Sequence, residues 1–162
     1  MVIRQKPEPL VYERTLGMSV MEGKGFYYPN DAAVSSNGKI YVLNRSLEAR
    51  GSGRGMRVTI CDSSDEFHGD FGEFGNAPGQ FMWPSAIAQG PDQNIYVTDE
   101  HLHKIMKFSP EGLFLKEWGQ FGSEPGHLDT PSGIAFNSAG ELFVSDTYNN
   151  RIQVFTSSGE YV

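Results

Sequence analysis

The side chains best equipped for chemistry fall in three short stretches. Arg45, Arg50, Arg54 and Arg57 lie in and beside Gly51-Ser52-Gly53-Arg54-Gly55, with Glu48 as the opposing charge. On a chain whose net charge is −7, this local positive excess suits a carboxylate or phosphate. The second stretch, Asp99-Glu100-His101-Leu102-His103, sets two imidazoles beside two carboxylates, donors that zinc accepts. Alternate residues share a side in extended chain, yet two histidines make at most half a tetrahedral shell, and His68 and His127 fall elsewhere. They read as polar loop residues, and no metal or other cofactor is expected. The third stretch, Val144-Ser145-Asp146-Thr147-Tyr148, contributes a phenol.

Whether these residues meet depends on the elements that carry them, and those elements repeat. Tyr28-Pro29-Asn30-Asp31-Ala32-Ala33-Val34, Trp83-Pro84-Ser85-Ala86-Ile87-Ala88 and Thr130-Pro131-Ser132-Gly133-Ile134-Ala135-Phe136 are versions of one segment. Each leads through a turn into an alternating strand, Lys39-Ile40-Tyr41-Val42-Leu43-Asn44, Asn94-Ile95-Tyr96-Val97-Thr98-Asp99 or Glu141-Leu142-Phe143-Val144-Ser145-Asp146. A basic residue then opens a third strand at Arg57, Lys104 and Arg151, and a fourth runs over Phe67 to Phe71 and Phe114 to Trp118. The prolines are 55 and 47 residues apart, and Tyr41, Tyr96 and Phe143 keep those intervals. The excess of 8 lies in the loop between Asn44 and Arg57, which holds the arginine cluster. Gly17, Gly72 and Gly119 each precede their proline by 12, which makes residues 12–17 a fourth-strand segment without its own first three strands.

Four short strands with period-2 alternation and glycine turns, repeated at nearly fifty residues, specify an all-β β-propeller. A single small sheet has two apolar faces, so neighbouring blades must cover them. The predicted organisation is a tail over 1–10 and propeller blades over 11–162: the orphan fourth strand 12–17, a blade over 28–72, a blade over 83–119 and an incomplete blade over 130–162. Side-chain alternation predicts Ile40/Val42, Ile95/Val97 and Leu142/Val144 on one face and Tyr41, Tyr96 and Phe143 on the other, with Phe71 and Trp118 between blades. Strands alternate in direction, so loops 17–28, 44–56, 72–83, 99–103, 119–130 and 146–150 emerge together on one face, here the top. Any ligand is expected there, around Arg45, Arg57, His101, His103 and Tyr148.

Pro131-x-Gly133-Ile134-Ala135 followed by Asp146-Thr147-Tyr148-Asn149-Asn150-Arg151-Ile152-x-Val154-Phe155 resembles the NHL repeat. The resemblance spans about residues 12 to 162 and implies half of a six-bladed propeller. Asp or Asn closing the second strand and Arg or Lys opening the third reads as an ion pair fixing the turn. Leu43-Asn44-Arg45-Ser46, Trp83-Pro84-Ser85 and Val144 to Tyr148 also resemble blades of the peptidyl-hydroxyglycine amidating lyases, zinc propeller enzymes. That resemblance gives Arg45 and Tyr148 the places of the family's arginine and tyrosine. Ser85 stands where that family has a zinc-binding His, and a hydroxyl is a poor substitute.

Composition narrows the partners. Charged residues are 20% and hydrophobic residues 38% of the chain, an ordinary globular balance. The acidic charge and the lack of a basic face across blades disfavour nucleic acid. One cysteine, Cys61, excludes an internal disulfide and reads as a buried strand residue. No stretch approaches the ~20 apolar residues of a membrane span, and the first residues lack a signal-peptide core, so a cytoplasmic location is expected. The favoured expectation is a non-catalytic binding scaffold whose top face takes a protein, peptide or small anionic ligand. The alternative is a lyase or lactonase relative with an incomplete active site. Two explanations of the three-blade arc stand level: a homodimer completing a six-bladed ring, and a fragment of a longer six-bladed propeller.

Overall fold

Pro29, Pro84 and Pro131 each open a strand, where a residue without an N–H removes no interior ladder bond. The computed structural model describes residues 12–19, 23–45 and 55–162, and every regular element there is a strand. In chain order these are β1 (Pro29–Val34), β2 (Lys39–Asn44), β3 (Arg57–Asp62), β4 (Phe67–Phe71), β5 (Pro84–Gln89), β6 (Ile95–Asp99), β7 (Lys104–Phe108), β8 (Phe114–Trp118), β9 (Pro131–Phe136), β10 (Leu142–Asp146) and β11 (Arg151–Phe155). They form three antiparallel meanders, β1-β2-β3-β4, β5-β6-β7-β8 and β9-β10-β11. These are consecutive blades of a β-propeller. No helix among the described residues is long and apolar enough to cross a membrane.

The repeat persists in detail. Register shifts interrupt the pairing of each first and second strand at matching places, between Pro29 and Asp31, between Pro84 and Ala86, and beside Asp146 opposite Pro131. Single parallel bridges link Ser19 to Phe26, Phe74 to Phe81 and Phe121 to Leu128 in the loops that enter the three blades. The third blade departs from four strands, because beyond β11 only Tyr161 bridges back, to Phe155. Residues 12–17 form no ladder of their own. The tail over 1–10 and the arginine-bearing stretch 46–54, with Glu48, Arg50 and Arg54, lie outside the described residues.

Alternation builds the core as expected. Tyr41, Leu43, Val58 and Phe71 from the first blade meet Ile87, Ile95, Val97, Met106 and Phe108 from the second in one cluster. Tyr96, Ile105 and Trp118 from the second blade meet Leu142, Val144, Ile134, Phe136 and Phe155 from the third in another. Phe71 and Trp118 stand between blades, with ring centroids 4.9 Å from Phe108 and 6.1 Å from Tyr96 respectively. Burying each such large side chain contributes roughly 1.5–3 kcal/mol. Phe143 repeats the position of Tyr41 and Tyr96 but is 37% exposed, as no blade among the described residues covers that face. Cys61 is buried, and burial, reinforced by Asp65 and Asp62, raises its thiol pKa.

Candidate functional site

The residues closing the second strands organise the top face, and they do so differently from the expected ion pair. Asp146 does pair with Arg151, Oδ2 to Nε at 2.7 Å. Asp99 does not pair with Lys104, whose ammonium goes to Glu117, and Asn44 has no charge to offer. What all three share is an acceptor oxygen for the loop entering the same blade. Asn44 Oδ1 accepts the Tyr27 N–H at 2.8 Å, Asp99 Oδ2 accepts those of Met82 and Trp83 at 2.8 and 2.9 Å, and Asp146 Oδ1 accepts that of Asp129 at 2.6 Å. In each blade a donating N–H lies two residues before the strand-opening proline, and in the second blade that of Trp83, one residue before, joins it. A proline cannot donate, so the clamp uses donors upstream of it.

This clamp fixes a platform at the junction of the first two blades. The Trp83 N–H is held by Asp99, and its carbonyl accepts the Glu100 N–H at 3.0 Å. The guanidinium of Arg45 lies over the Trp83 ring, 4.2 Å from its centroid, and donates through Nη2 to Glu100 Oε2 at 2.9 Å. Burial lowers the Arg45 pKa, and Glu100 and Asp99 oppose that shift. Arginine titrates so far above neutrality that the group stays cationic. Tyr28, Pro29, Asn30, Arg45 and Trp83 line a groove of about 530 Å³. Tyr28 is half exposed, with φ 52°, and its carbonyl accepts the Arg45 N–H at 3.0 Å. Flat aromatic surface, a fixed cation and backbone held on both sides make a concave place for an extended polypeptide or a planar group.

The other anticipated residues take separate places. Arg57 is buried, its Nη2 faces the carbonyls of Gly23 and Gly25 at 3.4 and 3.3 Å, and Nε lies 3.4 Å from Asp70. It ties the loop entering the first blade to β3 and β4. His101 is exposed beside Glu100, and its N–H is spent on Asp99 Oδ1. His103 adopts φ 54° at the second junction, where Nδ1 accepts the Thr130 N–H at 3.2 Å and the ring meets Phe121 edge-on. Tyr148 is 70% exposed on the third blade's top loop, and its N–H donates to Asp129 O. Ser85 is buried, with Oγ 2.8 Å from Pro131 O, so its hydroxyl stitches two blades. Among the described residues, the one set of His, Cys, Asp and Glu donors gathered within ligand reach is Asp62, Glu66 and His68, on the opposite face.

Trp83 and Glu100 are the site residues that the spacing did not single out. The useful signal was a Trp immediately before a strand-opening proline, where the other repeats have Tyr28 and Thr130.

With this register established, the profile described as the NHL repeat matches residues 128–155, which run from the loop entering β9 to the end of β11. The third blade is an NHL repeat. Protein brain tumor of Drosophila melanogaster is 44% identical over 48 residues, which are 30% of this chain and 5% of that protein. Among solved structures, virginiamycin B lyase from Staphylococcus aureus superposes with a TM-score of 0.59 at 17% identity, covering 83% of this chain and 40% of its own. Hydrazine synthase from Kuenenia stuttgartiensis gives 0.63 at 18% identity over 95% of this chain and 38% of its own. The chain therefore spans about two-fifths of each of these chains, and the likeness is one of fold. The clamp aspartate of the NHL blade, Asp146, is also held by Asn149 and Gln153. Burial pushes its pKa up, but hydrogen bonds from the Asp129 N–H, Asn149, Arg151 and Gln153 outweigh that and hold it below the usual carboxylate range.

Proposed function

We propose that this chain is a non-catalytic binding scaffold whose top face receives a protein segment or peptide in the groove between its first two blades. The observation that carries this reading is Arg45, stacked on Trp83 and braced by Glu100, beside the half-exposed Tyr28. Trp, Tyr and Arg are the residues that dominate binding energy at protein interfaces. Here the Arg side chain is already ordered, so little rotamer entropy remains to be lost on binding. An acidic or carboxylate-bearing partner is favoured because it can share Arg45 with Glu100. Tyr148 and His101 extend the same face around the channel mouth.

The test is selection of a displayed random peptide library against the protein, followed by binding of the enriched peptides to the Trp83→Ala and Arg45→Ala variants. Enriched peptides that weaken on both variants support the groove. Peptides that bind both variants at wild-type affinity contradict it.

A further inference from the structure

The turn between β3 and β4 carries more chemistry than its fold requires. Asp62 Oδ1 accepts the N–H groups of Ser64 and Glu66 at 2.7 and 3.2 Å, which closes the turn. One blade on, a hydroxyl closes the same turn, Ser109 Oγ accepting from the Glu111 and Leu113 N–H groups at 3.2 Å each. In the third blade Thr156 Oγ1 accepts the Glu160 N–H at 3.1 Å. One acceptor atom therefore suffices. The aspartate brings a second oxygen, and that oxygen, Oδ2, faces His68 Nε2 at 2.8 Å. Bonds from His68 and then from the Glu66 and Ser64 N–H groups lower the Asp62 pKa, so an anionic oxygen faces the ring at neutral pH.

The neighbouring positions make the same contrast. In register, Glu66 and His68 correspond to Leu113 and Leu115 of the second blade, two exposed apolar side chains. In the first blade both are metal-ligand types, a carboxylate and an imidazole. Side chains two apart along extended chain share a face, which turns both toward the same side of the turn. The donor atoms of Asp62, Glu66 and His68 lie within 4.8 Å of one another. Ligands of a tetrahedral zinc ion stand roughly 3.4 Å apart, given its bond lengths. Glu66 is exposed, so its carboxylate can swing to close the set. Asp62 and His68 also border a cleft of about 390 Å³, which leaves room for water on the ion.

We propose that Asp62, Glu66 and His68 bind a divalent transition-metal ion such as zinc, with water completing the shell. The ion takes the place of the proton between His68 Nε2 and Asp62 Oδ2, and neutral imidazole meets this by carrying its proton on Nδ1. Lys39 lines the same cleft, and its ammonium opposes a purely electrostatic hold. The imidazole must therefore carry the affinity, which selects zinc, nickel or copper over calcium and magnesium. Such an ion would pin the turn that joins β3 to β4, on the face away from the peptide groove, and it needs no residue of that groove.

The experiment is calorimetric titration of zinc chloride, and separately of calcium and magnesium chloride, into the full chain after treatment with a chelator. The variants are Glu66→Leu and His68→Leu, which copy Leu113 and Leu115 of the second blade and leave the Asp62 cap in place. The unmodified protein is expected to take up one zinc ion per chain, each variant to bind it at least 10-fold more weakly, and calcium and magnesium to give no saturable heat. Absence of zinc uptake at tens of micromolar overturns the site. So does zinc bound by either variant as tightly as by the unmodified protein, since His101, His103 and His127 remain in both and would then be holding the ion. Calcium or magnesium bound as tightly as zinc overturns the choice of ion. Peptide binding measured in chelator reads out the groove separately.

Discussion

The Tyr41 hydroxyl donates to the carbonyl of Pro110 at 3.1 Å, crossing from β2 of the first blade to the turn between β7 and β8 of the second. Tyr96 reaches the matching place one blade on, its hydroxyl lying 3.0 Å from Ser157 O and 2.8 Å from Asp92 Oδ2. Both rings are fully buried, and burial is the largest cause raising each phenol's pKa, seconded by Glu111 for Tyr41 and by Asp92 for Tyr96. The raised values keep both hydroxyls protonated at neutral pH, as a donor must be. The inter-blade joint is therefore an apolar contact with one specific polar latch.

Removing the latch alone should be measurable. Tyr41→Phe should cost about 1 kcal/mol in urea unfolding, the usual net worth of such a bond. Phe143→Tyr, at the uncovered third position, should change stability by less than about 0.5 kcal/mol in the same monomer-scale measurement.

Gly72 separates backbone strain from packing. It adopts φ +78°, and a Cβ there would lie 2.2 Å from a ring carbon of the buried Phe81. Gly38, at φ +86°, has nothing within 4 Å. Gly38→Ala should cost about 1–2 kcal/mol from the left-handed backbone alone. Gly72→Ala should cost roughly 1–3 kcal/mol more, because the Phe81 ring must move within the core. Equal losses by chemical denaturation would contradict the packing described.

Asp146 predicts a pH dependence with a definite sign. Its folded pKa is depressed, so its bonds contribute stability fully above the unfolded carboxylate value of about 3.9. That contribution is lost as pH falls through the lower folded value. Asp146→Asn should lower stability at neutral pH by about 1–3 kcal/mol through the weakened charge-assisted hydrogen bonds, while Arg151 keeps the carbonyls of Ser123, Glu124 and His127. The difference between the two proteins should narrow below about pH 4. A gap that is constant with pH would contradict the charged clamp.

Cys61 should be inert. It is buried on β3 and its thiol pKa is raised, so little thiolate forms at neutral pH. A thiol-reactive chromophore should label it at neutral pH only after denaturant is added, and rapid labelling of the folded protein would contradict its placement.

Much of the fold was legible because the repeat carries its own ruler. Strand-opening prolines and strand-closing Asn44, Asp99 and Asp146 recur at fixed offsets, and each strand anticipated from them is present. The role of those closing residues was misread in two blades of three. A charge five residues from a basic group suggests a local pair, whereas the N–H groups they hold lie 16 or 17 residues back in the chain. Arg57 was grouped with the site by its neighbours in sequence, and in the structure it opens β3 and holds the carbonyl of Gly25 in the entering loop. Arg45 with Trp83 and Glu100 joins residues 38 and 55 positions apart, and that depends on how two blades lie together. Local periodicity does not encode it.

The most direct test of the account is the affinity of library-selected peptides for the Trp83→Ala variant, measured beside a His68→Ala variant on the opposite face. The account predicts at least a 10-fold loss for Trp83→Ala, equivalent to about 1.4 kcal/mol, with His68→Ala binding as the unmodified protein does. Equal affinity of the Trp83→Ala variant and the unmodified protein, or a loss confined to His68→Ala, would contradict the assignment of the top-face groove as the binding site.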